Sequence, residues 1–105
     1  MSEQSETPIL DLLETMTVAS LEASSLDERT LMLVRIGALV AVDAPPASYL
    51  LNLGAAGQAG VDDEQVRGVL AAVAPIVGTA RVAAAAGSIA QALGIALELE
   101  AEAEG

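Results

Sequence analysis

The run ERTLMLVRIGALVAV, residues 28–42, is apolar nearly all the way round a helix. Past Glu28 and Arg29 at its start, its one charge is Arg35. A helix without a polar face has to be covered on every side. In a chain of 105 residues this predicts a central helix or one lying at a subunit boundary. A second segment, VAAAAGSIAQALGIAL at 82–97, carries no charge at all. It is shorter than the roughly 20 residues of a membrane span, rich in alanine, and interrupted by Ser88 and Gln91. The expectation is therefore a small-residue interface helix and no membrane association. One 10.5 kDa subunit cannot cover both helices by itself. The lone aromatic, Tyr49, adds to the argument. Alanine buries little apolar area, so contacts between subunits are expected to supply part of the stability. The predicted partner is a second copy of this chain, in a homo-oligomer.

Charge and residue types remove whole classes of function. Four arginines, no lysine and 15 acidic side chains leave a net charge of −11. Such a chain has no basic face to neutralise phosphates, which argues against nucleic acid and anionic membranes as partners. There is no cysteine and no histidine. That removes thiol nucleophiles, imidazole acid–base chemistry and nearly all transition-metal sites, so no metal and no cofactor is expected. Residues 1–8, MSEQSETP, are acidic and polar with no basic segment of a secretory signal, and the expected compartment is the cytoplasm.

The local signals are helical throughout, with no β pattern. Residues 1–6 are polar and read as disordered. Thr7-Pro8 starts a first helix, whose Ile9, Leu10, Leu13 and Met16 fall at helical spacing. Asp27 is the N-cap candidate of the second helix, and Asp43-Ala44-Pro45-Pro46 ends it. The third helix is predicted from about Pro46 to Ala59, with Gly60 as its stop. Asp62 caps a fourth over about 63–73, with Val66, Val69, Leu70 and Val73 inward, before Ala74-Pro75 interrupts. Thr79 opens a fifth helix over about 80–97. The tail ELEAEAEG, 98–105, sets glutamates against a helix C-terminus and is expected to fray. The domain is thus placed at 7–97, a single all-α unit.

The stretch LDERTLMLVRIGALVAVDAPPASYLLNLGAAGQAGVDDEQVRGVLAAVAPIVGTARV resembles the carboxymuconolactone decarboxylase-like family, which includes the alkylhydroperoxidase D-type proteins. The likeness covers about residues 26–97. It implies an all-helical subunit that assembles into trimers, or hexamers built from them. Thiol-active members of the family carry Cys-x-x-Cys-x-x-x-His at the start of the third helix and a glutamate on the preceding one. Aligned on GAAGQAG, Pro45 and Ser48 stand at the cysteine positions and Asn52 at the histidine position. The glutamate position falls near Met32 or Leu33. Thiol–disulfide peroxidase chemistry needs a thiolate and is excluded. The decarboxylase branch needs no cysteine pair, but the resemblance implies a useful histidine, which this chain lacks.

The polar residues of PPASYLLN, 45–52, are the candidates for a ligand site. Ser48 and Asn52 are four apart and share a helix face, and Tyr49 lies beside them. Arg35 and Arg81 are the two cations inside apolar segments. If either reached the first turn of the third helix, a pocket for a small carboxylate would form there. The alternative is structural: Ser48 and Asn52 satisfying helix backbone, and the arginines paired with acids or capping helix C-termini. Two functions stay open on these residues. One is a non-catalytic or ligand-binding oligomeric module. The other is a cofactor-free decarboxylase or related enzyme acting on a small carboxylate or lactone.

Overall fold

The computed structural model describes residues 6–104, apart from the side chains of Glu100 and Glu104. Five helices follow one another: α1 (Pro8–Ala23), α2 (Glu28–Ala41), α3 (Pro46–Gln58), α4 (Asp63–Val77) and α5 (Thr79–Glu104). No strand occurs among the described residues. The proposed disorder of residues 1–6 concerns, except for Glu6, positions outside them.

Side-chain caps and special backbone angles set the helix ends. The Asp27 carboxylate accepts from the Thr30 N–H at 2.8 Å and starts α2. That hydrogen bond, made to the charged form, holds the Asp27 carboxyl below its usual range. At the other end of α2, Asp43 takes φ 56°. Ala44 N–H then donates to Leu39 O at 3.0 Å and Asp43 N–H to Val40 O at 3.2 Å, the paired bonds of a Schellman stop. The α3–α4 connection repeats the device on Gly60, φ 92°. Here Val61 N–H reaches Ala56 O at 2.9 Å and Gly60 N–H reaches Gly57 O at 3.1 Å. Glycine is required at this turn twice over, because a Cβ there would also meet Arg29 Nη2 at 3.0 Å. Asp62 and Gln65 then close a full capping box on α4, at 2.8 and 3.1 Å.

Three boundaries differ from the sequence expectation. Thr7 makes no side-chain cap bond to backbone; its hydroxyl donates to Asp11 Oδ1 at 3.2 Å. α4 does not stop before Ala74-Pro75 but carries Pro75 inside its last turn and ends at Val77. So close to the end, the missing N–H costs one bond of the last turn, and Gly78 at φ 91° makes the break. α5 runs to Glu104 instead of ending near 97.

The body is built by α2 to α5. α2 packs on α3 and α4, and α3 packs along α5. One cluster holds Val40, Ala44, Tyr49, Ala85, Ile89 and Ala92; the other holds Leu31, Met32, Ile36, Ala56 and Val61. α2 contributes to both, which is the central role its apolar sequence predicts. Its coverage is nonetheless incomplete: Val34 and Val42 are exposed.

α1 is the exception. It packs against no other helix and buries no residue. Its described link to the body is one hydrogen bond, from Arg35 Nη2 to Ser20 Oγ at 3.0 Å. The Cα radius of gyration, 15.3 Å, accordingly exceeds the about 13 Å of a compact chain of this length.

Among the described residues one helix, α5, is long and apolar enough to cross a membrane by length and composition. Its Ala85, Ile89 and Ala92 are buried in the first cluster, and its far end carries Glu98 and Glu102.

Candidate functional site

Pro45 is the N-cap of α3 and Pro46 its first residue. Their missing N–H groups stand where a helix leaves donors unpaired in any case. One turn of helix then distributes the polar side chains to different surroundings. Tyr49 turns fully inward, against Val40, Ala44, Ala85 and Ile89. Ser48 and Asn52 are half-buried on another face. The Asn52 amide donates to Ser48 O at 2.8 Å, within its own helix. It therefore decorates a carbonyl already inside the helical ladder and bridges to no other helix through that bond.

The Tyr49 hydroxyl is buried and has no hydrogen-bond partner among the described residues. Burial, with the nearby Asp43 carboxylate as a second cause, pushes its pKa above the ordinary value of 10.0. At neutral pH it is a protonated donor and never a base.

The two arginines go elsewhere. Arg35 reaches back to Ser20 on α1. Arg81 Nη1 donates to Ala41 O at 2.6 Å, satisfying one of the free carbonyls at the C-terminus of α2. Neither guanidinium makes a hydrogen bond to the Ser48–Asn52 turn. Arg35, Ser48, Tyr49, Asn52 and Arg81 are thus not brought together around a cavity within one chain, and no cluster of metal-ligating side chains occurs among the described residues.

Open space lies elsewhere. A groove of about 370 Å³ runs between α3, α4 and α5, walled by Leu53, Val66, Leu70, Ile89 and Leu93, with Asp63 and Arg67 among its polar lining. A smaller hollow of about 260 Å³ continues between α3 and α5, sharing Leu53 and Leu93. Sequence reasoning placed Val66 and Leu70 inward but did not find this groove. Its signal was faint: Arg67, a cation on α4 one residue from an inward valine.

What the fold and these residues define is an all-α chain whose third helix begins on prolines. No thiol, imidazole or glutamate stands where a redox relay would be. The carboxymuconolactone decarboxylase family profile matches residues 8–92, and the chain belongs to that family. No curated protein and no solved structure matches it.

Proposed function

We propose that this chain is a non-catalytic, oligomeric member of its family: a helical module that keeps the fold and has lost the relay. The observation that carries this reading is the start of α3. There Tyr49 is sealed in the core and the Asn52 amide is bonded to the Ser48 backbone carbonyl of its own helix. No side chain at that turn titrates near neutral pH, so general acid–base work has no agent. A small carboxylate bound there would need Arg35 to leave Ser20 or Arg81 to leave the end of α2.

The oligomer reading rests on surface. The chain exposes 7257 Å², about 1,800 Å² more than a compact monomer of its mass, part of it belonging to the chain ends. A standard interface takes about 800 Å² from each partner. Exposed Leu13, Met16, Val34, Val42, Leu51 and Ile76 supply the apolar area.

Light scattering at micromolar concentration, run beside assays of hydroperoxide reduction and of decarboxylation of a carboxylated lactone, tests both parts. The expected result is a trimer or a higher multiple with no turnover above buffer. A stable folded monomer would end the oligomer reading. Turnover by purified metal-free protein would instead establish the cofactor-free enzyme.

A further inference from the structure

α1 and the α3–α4–α5 groove are two uncovered apolar surfaces of one chain. At 100° per residue, Leu10, Leu12, Leu13, Met16 and Leu21 of α1 lie within an arc of about 180°, which Thr17 and Ser20 share. These side chains are 42 to 64% exposed. Asp11, Glu14 and Glu22 occupy the opposite arc, with Glu14 at its border next to Leu21 and Leu10. A helix with so wide an apolar arc is not stable facing water, and its own body does not cover it.

The groove offers the complementary surface. It is partly open to solvent and walled mostly by leucine, valine, isoleucine and alanine. Apart from the Tyr49 hydroxyl, which is sealed in the core, no polar side chain among the described residues is buried. The polar side chains of the lining, Asp62, Asp63 and Arg67, are all exposed, so a small molecule would find no buried donor or acceptor to orient it, whereas the apolar face of a helix needs none. Arg67 lines the groove and has no hydrogen bond or ion pair among the described residues, while α1 carries acids and no base.

We propose that α1 is an exchanged arm, lying in the α3–α4–α5 groove of a second copy of this chain with Glu14 toward that copy's Arg67. The Arg35–Ser20 hydrogen bond then fixes the point at which the arm leaves its own body, and the surplus surface is what the exchange covers. This inference rests on the oligomeric reading above and specifies its contact.

The absence of cysteine makes the test clean, since the only thiols are those introduced. Leu13→Cys and Leu93→Cys, both at exposed positions, are refolded together and oxidised mildly, beside a chain carrying both changes. The expected product is a disulfide-linked pair of one L13C chain and one L93C chain, formed only in the assembled state. A disulfide confined within the doubly changed chain would mean that the arm folds onto its own groove, and would overturn the proposal. Like-with-like pairs alone, or no cross-link, would overturn it too. Light scattering on the same samples separates the failures: an intact oligomer without the mixed cross-link rejects the arm alone, and a monomer rejects the oligomer as well. As a second measurement, Glu14→Arg or Arg67→Glu alone should weaken assembly about two- to fivefold, the size of an exposed ion pair, and the two together should restore it. Failure of the double change to restore assembly rejects the Glu14–Arg67 contact.

Discussion

Replacing Tyr49 by phenylalanine should make the protein more stable. The side chain is fully buried, and its hydroxyl has no partner among the described residues. A buried, unsatisfied polar group costs about 1–3 kcal/mol. Removing the oxygen leaves a gap of about 15 Å³, worth about 0.4 kcal/mol at the usual cavity coefficient. The net expectation is a gain of about 1 kcal/mol or more, which for a domain of this size is about 4 °C in Tm. Thermal unfolding followed by circular dichroism, at one fixed subunit concentration, measures it, since assembly makes Tm concentration-dependent. The same variant tests the pH behaviour. Burial and the Asp43 carboxylate raise the folded-state pKa of Tyr49 above 10.0. The unfolded chain therefore releases the phenolic proton first. The tyrosine's contribution to stability is complete below pH about 10 and is lost as pH climbs from there through the folded value. Y49F should lack that alkaline loss. Because Tyr49 is the only aromatic residue, phenolate absorbance in the wild type should rise together with unfolding rather than before it. A Y49F protein that melts lower than the wild type would refute the reasoning. The hydroxyl would then have a partner in solution, a water or a neighbouring subunit.

Asn52→Ala removes one amide bond to the Ser48 carbonyl but adds a better helix former, so stability should change by no more than about 0.5 kcal/mol in chemical denaturation. A loss above about 1.5 kcal/mol would show that the Asn52 amide serves more than its own turn. Gly60→Ala should cost at least about 1–2 kcal/mol by the same measurement, since φ 92° is a left-handed conformation and the new Cβ would press on Arg29. If G60A is neutral, the Schellman stop does not hold the α3–α4 turn in this form.

Much of the framework is local and was legible from residue order. Asp27 before Thr30, Pro46 at the head of α3, Gly60 at its end and Asp62 before α4 each act through a backbone angle or a bond spanning two or three residues. Such signals survive without knowledge of the fold. The apolar circumference of α2 predicted a helix that is central or at a subunit boundary for the same kind of reason, since a helix's faces follow from its period. The course of α4 through Pro75 was not legible, because a proline's cost depends on how near the helix end lies. The candidate site was legible only as a set of residue types. Where Arg35 and Arg81 point is decided by which helix end or neighbouring hydroxyl lies within reach of a long side chain. The tertiary arrangement set Ser20 beside one and the Ala41 carbonyl beside the other. Tyr49 could have faced a pocket with Ser48 and Asn52; the contact of α3 with α5 turned it into the core instead. The groove and the bare face of α1 arise in the same way. Sequence determines that a face is apolar, but only the arrangement of the other helices decides whether anything covers it.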